Sequence, residues 1–81
     1  PSDRAPGRWL RIDAVLRARP REIDGWLRDR DVGTLTVKTR GVADDAARWR
    51  RRLKPRGSRP GTVVVTRDSN DRWTALGCFD A

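Results

Sequence analysis

Eighty-one residues make one small domain, and a chain of this size buries only about 60–65% of its unfolded surface, enough for a single modest core. Nineteen basic residues against eleven acidic ones give a net charge of +8, and 36% of the residues are apolar. With no His, no Tyr and one Cys, the chain lacks the usual neutral-pH proton shuttle and cannot assemble a zinc site, so it is read as non-catalytic.

Residues 1–8 are polar and carry Pro6 and Gly7, which predicts a flexible leader or linker. One domain is expected over residues 9–81, as a fragment of a longer protein, because the chain opens on Pro1 and contains no Met. Residues 9–16 alternate: Leu10, Ile12, Ala14 and Leu16 fall on one side, Trp9, Arg11, Asp13 and Val15 on the other. That period of two predicts a strand. Pro20 suits the first turn of a helix, where its missing N–H costs nothing. Ile23, Trp26 and Leu27 then recur at helical spacing, and Gly33 reads as the stop.

Residues 34–40 predict a second strand, with Leu35 and Val37 on one side and Thr34, Thr36, Lys38 and Arg40 on the other. Gly41 breaks it. Asp44 or Asp45 can cap the next helix, which carries acids at its positive end and arginines at its negative end. Ala46, Trp49 and Leu53 form the expected buried stripe, with Arg48, Arg51 and Arg52 outward. Pro55 and Gly57 end this helix in a basic loop over residues 54–61. Two further strands, 62–67 and 72–79, flank the turn Asp68-Ser69-Asn70-Asp71. The order β-α-β-α-β-β predicts an α+β two-layer sandwich, with two helices on one face of a four-stranded mixed sheet and the other face partly open. The core is expected to rest on Trp9, Trp26, Trp49 and Trp73, since large aromatics dominate burial in a small domain. Trp9 or Trp73 supplies a stacking surface only if it reaches the open face.

Seven basic residues lie between Arg48 and Arg59, and no acid falls between Ala46 and Arg67. A patch of that density suits RNA, DNA or another anionic surface. The competing reading is solvated surface charge in an Arg-biased composition, since seventeen of the nineteen basic residues are Arg. Arg forks bind phosphate bidentately and stack on bases, which suits RNA. The expected phosphate contacts are Lys38, Arg40, Arg51 and Arg52, with Arg48, Lys54, Arg56 and Arg59 widening the patch. Asp44 and Asp45 are assigned to helix capping rather than to a metal. Cys78 sits in an apolar run and is read as a small core residue. A lone Cys fits a reducing, cytoplasmic setting. No run is long enough to cross a bilayer, and no dimer element is evident, so a monomer is expected.

One family resemblance is carried by the order of these parts: Trp26-Leu27-Arg28, Val32-Gly33, Lys38-Thr39-Arg40-Gly41, Asp44-Asp45, Arg50-Arg51-Arg52-Leu53 and Thr62-Val63-Val64-Val65-Thr66-Arg67. From Trp9 onward the chain resembles the THUMP-like domain at the C-terminus of certain bacterial class I SAM-dependent methyltransferases. It departs at Thr39, where a second basic residue is usual, and at Trp49, where a leucine is usual. The resemblance implies a non-catalytic accessory domain that positions RNA, tRNA or rRNA, for a methyltransferase domain on the same polypeptide. S-Adenosylmethionine would then serve the parent enzyme, with no cofactor in this chain. The alternative is a structural module that docks on the methyltransferase domain without touching nucleic acid. A free-standing DNA-binding protein ranks last, for want of a helix-turn-helix.

Overall fold

Three parallel strands and one antiparallel strand build the sheet, and the reason is the connectivity. The structure, a computed structural model, describes residues 9–80, so the proposed leader, residues 1–8, lies outside the described residues. Its elements are β1 (Leu10–Arg17), α1 (Pro20–Asp29), β2 (Val32–Thr39), α2 (Ala46–Arg52), β3 (Arg59–Arg67) and β4 (Trp73–Asp80). Each helix returns the chain so that the next strand runs parallel to the last, as helical crossovers do. The β3–β4 turn reverses it. Spatial order is β1-β4-β3-β2, with β4 antiparallel to both β1 and β3. This is the two-layer α+β architecture expected from the sequence, with both helices on one face.

That covered face holds the core. Ile23, Trp26 and Leu27 from α1 and Trp49 from α2 meet Val63, Val65, Ala75 and Phe79 from the sheet. Trp26 lies flat over Gly77, where a side chain would strike its ring, and its centroid is 5.3 Å from that of Phe79. Trp26 and Trp49 are therefore core, as expected. Trp9 and Trp73 are not, being 64% and 37% exposed. Trp9 precedes β1. Trp73 shares the covered side of β4 with Ala75, Gly77 and Phe79 but lies at the strand's end, away from the centre of the core.

The first strand corrects a second expectation. Ile12 pairs with Cys78 and Ala14 with Gly77, so Asp13 is an extra residue, a β-bulge. The bulge shifts the alternation by one. Ala14 and Leu16 face the helices, whereas Ile12 and Val15 stand out on the open face, 56% and 69% exposed. The cause is polar: Asp13 Oδ2 accepts from Trp26 Nε1 at 2.9 Å and from Arg30 Nε at 2.8 Å. A buried indole N–H left without a partner is costly, and the bulge brings a carboxylate to it.

Gly33 does not end α1. The left-handed position is taken by Asp31 (φ 58°), and Gly33 belongs to β2. It is glycine because the Gly57 backbone crosses it so closely that a Cβ would overlap the Gly57 carbonyl. Asp31 O accepts from Ser58 N and Arg59 N at 3.1 and 2.8 Å, and Asp31 Oδ2 from Ser58 Oγ at 2.5 Å. These contacts tie the basic loop to the start of β2. Gly33→Ala should therefore cost about 1–3 kcal/mol through backbone displacement, read as a lowered urea midpoint. An unchanged midpoint would show that the crossing is looser than described.

Candidate nucleic-acid interface

Helix α2 is short, and its cap decides where its arginines point. Asp45 Oδ1 accepts from Arg48 N at 2.7 Å, and Asp44 pairs with Arg48 Nη1 at 3.4 Å. Both acids are thus used by the helix itself. Trp49 and, just past the helix, Leu53 turn into the core, so Arg48, Arg50, Arg51 and Arg52 project to solvent. The Arg52 guanidinium lies 5.3 Å over the Trp49 ring, a cation–π contact that steadies it at the surface. Arg50, Arg51 and Arg52 form no ion pair among the described residues.

Past α2 the chain bends toward α1. Lys54 N donates to Asp24 Oδ1 at 2.8 Å, which brings Lys54 and Arg56 to Asp24 and Arg28 around a concavity of about 290 Å³. The arginines of α2 and this group share the helix layer. Arg28 and Arg50 belong to this basic surface although the sequence reading left both out. The one available signal was that Arg28 sits on the polar side of α1. Nothing local in sequence ties it to Lys54.

The remaining expected contacts lie elsewhere. Lys38 alternates with the inward Val37 and stands on the open face. Arg40 N donates to Val65 O at 2.8 Å, which extends the β2–β3 ladder by one residue and the alternation with it. The sheet therefore stands between Lys38 and Arg40 on one side and the α2 arginines on the other. They are joined only around the free edge of β2, which flanks the sheet. Arg59 is engaged in packing: its guanidinium lies 4.3 Å over Phe79 and Nη1 donates to Arg30 O at 3.4 Å. It closes the core at the end of the sheet where β2 and β3 begin.

None of the four strands puts an aromatic ring on the open face of the sheet. The side chains there are Thr34, Thr36, Lys38, Thr62, Val64, Thr66, Thr74 and Leu76, with Ile12 and Val15 on β1. Base stacking on that face, conditional on Trp9 or Trp73 reaching it, thus finds no ring from Trp73. Cys78 is on this side of β4 yet buried and free of any disulfide, and burial raises its thiol pKa. Among the described residues no cluster of three His, Cys, Asp or Glu forms that could hold a metal ion. No described helix is long and apolar enough to cross a membrane.

Two carboxylates are held below their ordinary pKa. Asp13 is lowered first by the hydrogen bond from Trp26 and then by that from Arg30. Asp68 is lowered first by the backbone N–H of Arg72, with a smaller effect from that of Asn70, both of which it accepts across the β3–β4 turn. A lowered folded pKa means that the ionised form is favoured by folding. The resulting stability is present above the unfolded value, near 4, and is lost as pH falls through the folded value. Urea midpoints should accordingly drop from pH 6 to pH 3, and Asp13→Asn should flatten part of that drop. An acid limb identical in Asp13→Asn and the unmodified chain would contradict the role given to Asp13.

The fold is a two-layer α+β domain whose helix layer carries a solvent-facing basic surface, of the kind that suits an anionic partner. The sequence matches the THUMP domain-like family over residues 7–78, and the chain belongs to that family. THUMP-like domains are themselves non-catalytic and generally bind RNA. No curated protein and no solved structure matches the chain.

Proposed function

We propose that this domain binds structured RNA through its helix layer and positions it for a SAM-dependent methyltransferase domain on the same polypeptide. The observation that carries the reading is the outward run Arg50, Arg51 and Arg52 on α2, continued by Lys54, Arg56 and Arg28, none of them in an ion pair with an acid among the described residues; Arg48 beside them is paired with Asp44. Charges left unpaired on a fixed frame are what phosphate contacts need. Arg51 and Arg52 are the central contacts, and Arg48, Arg50, Lys54, Arg56 and Arg28 extend them; Lys38 and Arg40, on the other side of the sheet, are not assigned to this surface. The domain acts as a monomer in the cytoplasm, and tRNA or rRNA is the substrate.

S-Adenosylmethionine belongs to the proposed catalytic neighbour, and the residues of this chain do not fit it. The close approaches that glycines permit here are already filled by protein: Gly33 by Gly57, Gly61 by Val32 and Phe79, Gly77 by Trp26. No step of methyl transfer is assigned to this chain. The test is gel retardation of tRNA and rRNA fragments by the unmodified domain and by Arg51→Glu/Arg52→Glu. Retardation by the first and not the second is expected. A domain that retards no RNA at low salt would leave docking as the better account.

A further inference from the structure

We infer that the open sheet face is a second binding surface, for a protein surface that is apolar at its centre and ringed by carboxylates. The strand register sets out the side chains in rows. Val15, Leu76, Val64 and Lys38 lie side by side across all four strands, and Ile12, Cys78, Thr62 and Thr36 form the next row. Ile12, Val15, Val64 and Leu76 thus make one continuous apolar strip, in which Ile12 and Val15 are the most exposed members. Arg17 and Lys38 stand at the two edges of the strip, and Arg40 follows Lys38. None of the three is in an ion pair among the described residues. Asp80 lies at the far end of β4, and Asp68, beyond the end of β3, lines a concavity with Val15, Arg17 and Thr74, so Lys38 and Arg40 are the cations of this face farthest from an acid.

Three arguments fix the occupant. RNA gains nothing from an aliphatic strip without a ring to stack on. A second copy carries the same cations and the same +8 charge, so two such faces repel. Size selects among protein partners. Strands about 4.8 Å apart and about seven residues of 3.3 Å give a face of roughly 400 Å². That suits contacts between domains of one chain, whose totals of about 600–1,500 Å² divide between two sides, and falls short of the roughly 800 Å² per partner of an independent complex. A tether supplies the effective concentration that a small interface lacks. The occupant is therefore the neighbouring domain of the same polypeptide, which rests on the reading of such a neighbour given above. Docked by its open face, the domain leaves the α2 arginines turned away from the interface and free for RNA.

The test uses this chain and the separately expressed neighbouring domain of the parent polypeptide, mixed in trans at about millimolar concentration, the effective concentration a short tether supplies, and followed by NMR titration. Val15→Glu and Ile12→Glu replace exposed side chains and should leave the thermal transition in place. Each should weaken association with the neighbour at least tenfold and leave RNA retardation unchanged, and Lys38→Glu should weaken association in a salt-dependent way. Hydrogen exchange of the unmodified chain should show protection at Val15, Val64 and Leu76 on mixing. Three results overturn the inference: no association in trans, loss of RNA retardation by Val15→Glu, or sedimentation of the domain as a Val15-dependent dimer. If Arg51→Glu/Arg52→Glu still retards RNA while Val15→Glu still breaks association, the RNA surface is misassigned and the docking face stands.

Discussion

Trp26→Ala is expected to abolish the cooperative thermal transition of the domain. Trp26 is 5% exposed, packs on Phe79 and Gly77, and satisfies its indole N–H on Asp13. Truncating a buried aromatic to alanine costs about 3–5 kcal/mol, and a domain near 70–80 residues rarely has more than about 3–5 kcal/mol in hand. The two quantities are equal, so the folded state is lost. Trp26→Phe keeps most of the burial and removes the hydrogen bond, so it should fold with a cost of about 1–2 kcal/mol. Circular dichroism against temperature and urea measures both. A Trp26→Ala variant melting within a few degrees of the unmodified chain would show that the core is centred elsewhere.

Arg51→Glu/Arg52→Glu is expected to lower RNA affinity about a hundredfold and leave the fold in place. Both side chains are exposed, and the only packing lost is the Arg52–Trp49 contact, worth about 0.5–1 kcal/mol at an exposed site. A hydrogen bond to a charged group contributes about 1.5–3 kcal/mol, so losing two gives at least two decades in binding. The double change also takes the net charge from +8 to +4, which adds repulsion to the lost contacts. Lys38→Glu/Arg40→Glu alters charge equally from the other side of the sheet. Its effect on RNA should be several-fold smaller. If it is the larger of the two, RNA lies on the open face and the helix layer is solvated charge.

The architecture was legible because each element carried its own signal. Pro20 opened α1, Asp45 capped α2, the β-branched run of residues 62–66 marked β3, and the Asp68–Asp71 turn closed a hairpin. What stayed hidden depended on contacts distant in sequence. Gly33 resembled a helix stop, and its actual constraint, the crossing of Gly57, lies more than twenty residues away. The Asp13 bulge answers a donor on α1, so strict alternation placed Ile12 on the wrong face. Among the expected phosphate contacts, charge density identified the α2 arginines, but no periodicity could say that a sheet separates them from Lys38. Arg59 counted as part of the patch for the same reason: its ring partner, Phe79, is twenty residues on. The basic patch was legible as composition, and its division between two faces is a property of the fold.

The central claim, that unpaired arginines on the helix layer hold RNA phosphates, is tested most directly by the salt dependence of RNA binding to the unmodified domain. For five to seven neutralised phosphates, log K against log salt should fall with a slope of roughly −4 to −6. Arg51→Glu/Arg52→Glu should reduce that slope by about two. A nearly flat dependence, or a slope untouched by the double substitution, would contradict it.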